Sequence, residues 1–217
     1  MTRRFWKTEM KKTREPSFDL EKGLFENKVD FVFGMDEVGR GSFAGPLVAS
    51  AVCFENEHKW FNDLNDSKLL SAKKRGHLSK LILKNAKCFT EIIEVETINK
   101  IGIGKSNKLI FERLIKKILN EHKEKKVHFL IDGNKKKIGR KNSQFIIKGD
   151  GKVISIAAAS IIAKVYRDKL MRELGKTYKG YNFSKNKGYG TKFHQEAIQK
   201  LGLCAIHRTS FNLSKFL

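Results

Sequence analysis

The sequence predicts an α/β fold built around a mixed β-sheet, and three features support this. Three strand-like segments come before any long crossover, which favours an antiparallel start; they span residues 29–35, 47–54 and 88–95. The apolar segment at 127–133 follows a strongly periodic helix at 106–122, so we expect it to pair in parallel with a neighbouring strand. An alanine-rich helix over 155–175 can then pack closely on the sheet.

The chain before the first strand is basic and of mixed composition. We interpret residues 1–28 as a basic N-terminal arm with a short helix near 18–25. Residues 29–217 are predicted to form one domain with a helical C-terminal region, because no linker or internal repeat divides them.

The first strand leads into the sequence Gly34-Met35-Asp36-Glu37-Val38-Gly39-Arg40-Gly41, which places two adjacent carboxylates near a strand end beside a glycine-rich loop. Adjacent carboxylates repel each other, and a hard divalent cation with oxygen ligands is the usual remedy. The alternative is a solvated turn with two surface acids. Successive strand residues point to opposite faces, so both side chains reach one site only if the strand ends or bends there.

A helix over 72–85 follows the second strand, and Ser71 is predicted to cap its start. The tripeptide Asp66-Ser67-Lys68 lies in the loop before this helix. Ser67 and Lys68 either hold a phosphate there or provide ordinary turn chemistry. Near the end of the chain, Thr191 is predicted to cap a last helix that runs through residue 201.

Two further carboxylates are predicted at strand ends. Asp132 ends the segment at 127–133, and Asp150 ends a short apolar strand that starts at residue 145. Sites in sheets with parallel strands lie at carboxyl ends, so Asp36, Glu37, Asp132 and Asp150 together predict a two-metal site for phosphodiester chemistry, with Mg²⁺ or Mn²⁺ ions about 4 Å apart. The cationic loop at 134–141 is either a phosphate contact or a solvated surface loop.

The charge balance favours a polyanionic partner. The chain has 45 Lys and Arg against 23 Asp and Glu, a formal charge of +22. An AT-rich genome, which inflates Lys without functional meaning, is the alternative. Within the long helix at 155–175, Arg167 and Asp168 are expected to form an ordinary surface ion pair.

The remaining composition excludes several classes. Three widely spaced cysteines argue against a disulfide framework or a zinc site and fit a reducing compartment. No apolar run approaches the roughly 18 residues of a membrane span, and the N-terminus lacks a signal peptide's apolar core. We therefore predict a cytoplasmic protein with no membrane partner.

Six ordered motifs resemble those of the ribonuclease HII (type 2 ribonuclease H) family. The first is the glycine-rich segment at 34–41 with Ala44-Gly45-Pro46 after it. The others lie at residues 65–68, 131–133, 148–150 with 156–168, 188–194 and 207–211. One glycine-rich loop would be weak evidence, but six motifs in order are specific.

The resemblance implies a ribonuclease H-like fold, with a mixed five-stranded sheet flanked by helices and a helical C-terminal part. It also implies an endonuclease that uses two divalent cations, Mn²⁺ or Mg²⁺. Its substrates would be RNA/DNA hybrids and DNA duplexes containing single ribonucleotides. Cleavage would fall 5′ of the ribonucleotide and leave 3′-hydroxyl and 5′-phosphate ends, in order to remove misincorporated ribonucleotides. We expect a monomer.

The resemblance also implies residue roles, taken position by position. The metal ligands would be Asp36, Glu37, Asp132 and Asp150. The backbone of Gly39, Arg40 and Gly41 would contact the ribose 2′-hydroxyl, and Tyr189 would stack on the sugar of the next deoxynucleotide. Phosphate contact or structural support would come from Ser67, Lys68, Lys164 and Arg208. His194 and His207 are expected to be structural.

Two alternatives stay open at this stage. A nucleic-acid-binding protein without catalysis would need none of the four carboxylates and would bind better without them. A type 1-like nuclease would need a run of ribonucleotides, so substrate length separates it from the type 2 enzyme.

Overall fold

The computed structural model describes residues 15–134 and 142–217. In this part of the chain, the strands form one mixed sheet with the order β3-β2-β1-β4-β5; they are β1 (Phe31–Val38), β2 (Leu47–Cys53), β3 (Lys87–Ile93), β4 (Val127–Asp132) and β5 (Ser143–Ile146). The β1–β2 and β2–β3 pairs are antiparallel, whereas the β1–β4 and β4–β5 pairs are parallel. The predicted mixed sheet with an antiparallel start is confirmed.

The helices of the described residues are α1 (Asp19–Glu26), α2 (Ala72–Asn85), α3 (Val95–Glu121), α4 (Ile154–Thr177), α5 (Phe183–Asn186) and α6 (Lys192–Leu201). The predicted caps are present: the Ser71 hydroxyl accepts from the Lys74 amide at 3.2 Å, and the Thr191 hydroxyl accepts from the His194 amide at 3.3 Å. Helix α3 starts before the predicted helix at 106–122 and bends at Gly102, where φ is +77°. Gly102 is non-helical, so α3 consists of two helical parts joined by a kink, and the predicted helix at 106–122 belongs to the second part.

Successive side chains of β1 point to opposite faces of the sheet, and each face packs against a different helix. Phe33 and Met35 pack into the cluster that contains α3, whereas Val32 packs with the start of α4. Gly34 lies on the α4 face, where a Cβ atom would come within 2.2 Å of the Ser155 carbonyl carbon. Only a glycine permits this approach, and it therefore allows α4 to cross close to β1. From there α4 runs towards the carboxyl end of the strand.

The residues just before β1 are attached to the start of α4. Ser17 forms a parallel bridge with Val153, and the Glu21 Oε1 atom accepts the Ser155 amide at 2.8 Å. Residues 1–14, the first half of the predicted arm, lie outside the described residues. The domain boundary after residue 28 stays a prediction. The predicted cationic loop at 134–141 also lies outside the described residues from residue 135 onward.

The prediction that a strand ends at Asp150 was wrong. Strand β5 ends at Ile146, and Asp150 lies in a short 3₁₀ turn at Gly149–Gly151. Lys148 adopts the left-handed conformation with φ of 53°, which ends the extended backbone before the carboxylate is reached.

The C-terminal part packs on the second half of α4. A buried cluster joins Met171 of α4 to Tyr181, Phe183 and Ala197, and it also includes Ala44 from the loop after β1. This contact brings the C-terminal part to the same end of the sheet as the acidic pair. Across the described ranges, no helix combines the length and apolarity that crossing a membrane requires.

Candidate active site

The carboxyl ends of β1 and β4 lie side by side. Their parallel register pairs Met35 with Ile131, so the next residue of each strand, Asp36 and Asp132, emerges at the same edge of the sheet. Together with Glu37 they line a cavity of about 420 Å³, whose other walls come from Val38, Gly39, Arg40, Gly41, Ser67, Lys68, Ser160, Lys164 and Tyr189. Of the sequence-predicted site residues, Asp150 and Arg208 do not line it.

The acidic pair reaches the cavity without a bend in the strand. Strand β1 continues through both residues and ends at Val38. Asp36 interacts with Ser160 on the α4 side of the sheet, and Glu37 interacts with Asn107 on the α3 side. The two side chains therefore keep opposite faces, and both reach the cavity because the strand ends one residue later.

Burial and mutual repulsion shape the protonation of this pair. Burial raises the pKa of Asp36 well above its usual range, and the charges of Glu37 and Asp132 raise it further. The pKa of Glu37 rises to about 7, again chiefly through burial, while the nearby Arg40 guanidinium opposes the rise. Asp36 is only 6% exposed, so the alternative of two solvated surface acids does not describe this pair.

Asp150 belongs to the same electrostatic cluster even though it lies off the cavity wall. Burial raises its pKa, and Asp66 and Asp132 add to this. The Lys68 ammonium lies 3.9 Å from carboxylate oxygens of both Asp66 and Asp150. Partial burial lowers the pKa of Lys68, but the surrounding carboxylates more than reverse this, so its pKa is raised overall. Asp132 also accepts the Gly149 amide at 2.6 Å, which fixes the turn that carries Asp150.

The donor set suits a hard cation. Asp36, Glu37, Asp132 and Asp150 offer only carboxylate oxygens, which are the ligands preferred by Mg²⁺ and Mn²⁺. As these side chains stand, no group of three or more acidic, histidine or cysteine side chains in the described residues is arranged to hold an ion. The fit is therefore one of ligand chemistry and of negative charge that Arg40 and Lys68 compensate only in part.

A buried arginine supports the loop formed by residues 39–45, called here the glycine loop. Arg167 is fully buried and donates to the carbonyls of Ala44, Pro46 and Lys187. The expected surface pair with Asp168 was wrong, because Asp168 instead pairs with Lys164 at 2.7 Å. A guanidinium buried away from water needs acceptors, and the loop carbonyls supply them.

Arg208 lies beneath the same loop, where its contacts fit the structural support that was one of its two predicted roles and leave no room for a phosphate contact. It is fully buried, and its guanidinium donates to the carbonyls of Gly39, Arg40 and Gly45. Burial lowers its pKa to about 9, and the neighbouring charge of Arg167 contributes to this. Arg208 therefore positions the glycine loop from the side away from the cavity.

Tyr189 is half-buried and stands on the cavity wall. The Arg167 guanidinium carbon lies 5.5 Å from its ring centroid, and the Lys164 ammonium lies 5.8 Å from it. These distances allow cation–π contacts. The cationic side chains thus hold the ring at the cavity and leave one edge of the site aromatic.

Sequence reasoning missed the supporting polar residues of the site. The Ser160 hydroxyl pairs with the Ser67 hydroxyl at 2.9 Å and also reaches Asp36. In the sequence, Ser160 is visible only as one small residue in an alanine-rich helix. Asn107 carries no local signal, because its role depends on how α3 crosses the sheet. Asp66 was noticed in its motif but was given no role.

The comparisons with known proteins agree with this geometry. The family model described as Ribonuclease HII matches residues 33–214. This chain belongs to the ribonuclease HII family. It is 44% identical over 192 residues to Ribonuclease HII of Fusobacterium nucleatum, covering 87% of this chain and 88% of that protein. It is 45% identical over 183 residues to Ribonuclease HII of Borrelia duttonii, covering 84% and 99%.

Solved structures with lower identity show the same fold. The RNase HII of Archaeoglobus fulgidus, solved as a PCNA complex, superposes with a TM-score of 0.68 at 23% identity, covering 82% of this chain and 94% of that one. Bst-RNase HIII in complex with Mn²⁺ gives 0.67 at 21% identity, covering 86% and 68%. The predicted ribonuclease H-like fold is confirmed. As a ribonuclease HII, the protein is a type 2 ribonuclease H, an endonuclease that acts on RNA/DNA hybrids.

Proposed function

We propose that this ribonuclease HII cleaves the phosphodiester bond 5′ of a ribonucleotide, both in RNA/DNA hybrids and at single ribonucleotides embedded in duplex DNA. One observation carries the proposal: Gly39, Arg40 and Gly41 line the same cavity as three of the four predicted metal ligands, Asp36, Glu37 and Asp132. The 2′-hydroxyl is what distinguishes RNA from DNA at one nucleotide, and a glycine backbone can approach it closely. The residues proposed to recognise the ribose therefore lie beside the groups that would act on the adjacent phosphate.

In this proposal, Asp36, Glu37, Asp132 and Asp150 hold two divalent cations, Mn²⁺ or Mg²⁺. When bound, the cations supply an activated water and stabilise the leaving oxygen, which gives 3′-hydroxyl and 5′-phosphate products. The repulsion among the buried carboxylates supports such a role, because bound cations would relieve it. The Mn²⁺ complex of the related Bst-RNase HIII is consistent with it.

The other site residues take roles that follow from their present contacts. Lys68 is the most open cation of the predicted set, with a side chain 77% exposed, and we assign it a phosphate contact as well as partial neutralisation of the carboxylates. Lys164 is paired with Asp168, and Ser67 is paired with Ser160. We therefore assign Lys164 and Ser67 structural support of the site and not a phosphate contact. Tyr189 stacks on the sugar of the deoxynucleotide after the ribonucleotide. Removal of misincorporated ribonucleotides by a monomer completes the proposal.

A strand-cleavage assay tests it. The end-labelled substrates are a DNA duplex with one embedded ribonucleotide, an all-DNA duplex and a full RNA/DNA hybrid. Each is incubated with Mg²⁺, with Mn²⁺ or with a chelator. We expect metal-dependent cleavage 5′ of the lone ribonucleotide and no cleavage of the all-DNA duplex. Asp132→Asn, which keeps the shape of the side chain, should lower cleavage at least about 100-fold while the duplex is still bound.

Two results would contradict the proposal. Cleavage of the hybrid alone would indicate a type 1-like specificity and remove the junction-reading role of Tyr189. Full cleavage by the Asp132→Asn protein, or in the chelator, would remove the acidic cluster and its cations from the chemistry.

A further inference from the structure

A continuous chain of buried hydrogen bonds leads from the C-terminal segment to Tyr189. The Cys204 amide lies 2.8 Å from Nδ1 of His207. The Nε2 atoms of His207 and His194 lie 3.0 Å apart, and Nδ1 of His194 lies 2.9 Å from the Tyr189 carbonyl oxygen. Both imidazoles are buried, at 1% and 0% exposed.

The Tyr189 end of this chain determines the tautomers of the two neutral rings. Nδ1 of His207 lies near the Cys204 amide, but also 3.2 Å from the Cys204 carbonyl oxygen and 3.1 Å from Cys204 Sγ, so this end alone allows it to be donor or acceptor. A backbone carbonyl only accepts, so Nδ1 of His194 must carry a proton and its Nε2 must be bare. His207 must therefore donate from Nε2 to His194, which leaves its Nδ1 to accept from the Cys204 amide.

An additional proton on Nε2 of His194 would set two N–H groups against each other at the central contact. The electrostatics agree with two neutral rings. Burial lowers the pKa of His207 to about 4, with a further contribution from His194, and burial also lowers the pKa of His194. The histidine pair is therefore a fixed connection that runs in one direction, from the Cys204 amide to Tyr189.

The neighbouring residue makes the complementary connection. Arg208 donates to the carbonyls of Gly39, Arg40 and Gly45, and its own amide donates to the Phe43 carbonyl. Two consecutive side chains thus hold the two proposed reading elements: His207 holds Tyr189 through His194, and Arg208 holds the glycine loop. Neither histidine lines the cavity.

We infer that His194 and His207 are positioning residues that set the preference for the ribonucleotide–deoxynucleotide junction, by fixing the Tyr189 backbone relative to the glycine loop. This rests on the proposed role of Tyr189 at the junction. Its consequence is specific: breaking the connection should weaken cleavage at a single embedded ribonucleotide more than cleavage of a uniform hybrid.

Two substitutions at one position separate the two bonds of His194. In His194→Asn, the amide nitrogen takes the place of Nδ1 and still donates to Tyr189, but the bond to His207 is lost. In His194→Gln, the longer amide reaches the place of Nε2 and accepts from His207, but the bond to Tyr189 is lost. The readout is the ratio of kcat/KM on the embedded-ribonucleotide duplex to kcat/KM on the hybrid, alongside Tyr189→Ala and thermal unfolding.

We expect His194→Gln to lower this ratio about 10-fold, the size of one lost buried hydrogen bond, and His194→Asn to keep it within about 2-fold. A folded His194→Gln protein with the wild-type ratio would overturn the inference. So would equal losses on both substrates in both variants, because that is the result of a purely structural role. If the Tyr189→Ala protein has the same ratio as the wild type, Tyr189 does not have its proposed role at the junction. This inference would then fail together with that role.

A measurement on the unmodified protein tests the same hydrogen bonds even if the variants fail to fold. Imidazole nitrogen NMR distinguishes the two neutral tautomers of each ring. We expect slowly exchanging protons on Nδ1 of His194 and on Nε2 of His207. The opposite tautomers at neutral pH, or a charged ring, would show that the connection does not exist.

Discussion

Glu21 shows how a single buried carboxylate makes stability depend on pH. It lies in α1 at 1% exposure and accepts the amide at the start of α4. Burial raises its pKa from 4.5 to about 7, although the bonds from Ser155 oppose the rise. Because the folded pKa lies above the unfolded one, the folded state holds the proton longer. The contribution of Glu21 to the free energy of unfolding therefore falls as pH rises from about 4.5 to 7, by up to about 3 kcal/mol.

Replacing this carboxylate should remove its share of that fall. Glu21→Gln keeps an oxygen that can accept the Ser155 amide, but it cannot ionise. We expect the variant to match the wild type near pH 4.5 and to be more stable at pH 8 by as much as about 3 kcal/mol. Urea unfolding at several pH values measures this. Glu26→Gln, at an exposed position of the same helix, is the control, and an unaltered pH dependence in Glu21→Gln would refute the argument.

At the scale of one element, the glycine loop contains two glycines with different constraints. Gly39 has φ of +99°, and a Cβ atom there would lie 2.2 Å from Nε of the buried Arg167. A Cβ atom on Gly41 would meet nothing within 4 Å. The two positions belong to the same motif, but only the first is required by the packing of the loop.

The matched pair Gly39→Ala and Gly41→Ala should therefore separate loop packing from ribose reading. We expect Gly39→Ala to lower the free energy of unfolding by about 2–4 kcal/mol, from the positive φ and from displacement of a buried guanidinium. Gly41→Ala should stay within about 0.5 kcal/mol of the wild type. It should still weaken cleavage at a ribonucleotide, because its methyl group enters the cavity. Equal stability of the two variants would show that Arg167 does not fix the loop.

At the scale of the whole molecule, the site was predictable where local pattern and motif coincide. The acidic pair near the end of β1 and Asp132 at the end of β4 follow from apolar strands with polar ends, and parallel pairing then brings them together. The turn at Asp150 depends on one left-handed residue, Lys148, which has no reliable sequence signal. The surface position predicted for Arg167 was wrong because its acceptors are remote in sequence: it donates to Ala44, 123 residues away.

The same distance effect hid the histidine connection. His194 and His207 lie 13 residues apart, and their contact exists only because the segment after α6 folds back beside that helix. Patterns in sequence report what a strand or helix does locally. They do not report which carbonyl a buried cation or imidazole will find in the folded chain.

The net charge of +22 makes its own prediction about the whole molecule. Phosphate contacts carry no information about the sugar, so they should contribute equally to every duplex. With the binding-only Asp132→Asn protein, plots of log affinity against log salt concentration should be parallel for duplexes with and without a ribonucleotide. Only the offset between the two lines should report recognition of the 2′-hydroxyl.

A second pair of substitutions locates the contacts behind that slope. Lys68 lies at the cavity, so Lys68→Gln in the Asp132→Asn background should reduce the slope by about 1. Lys176 is paired with Glu173 and lies 12 residues beyond Lys164 in α4, about 18 Å along the helix axis, so Lys176→Gln should leave the slope unchanged. If both substitutions reduce the slope equally, lysines attract the duplex wherever they lie on the surface, and no particular lysine makes a specific phosphate contact. The excess of lysine would then be a property of the composition, and Lys68 would lose its assigned contact with the backbone.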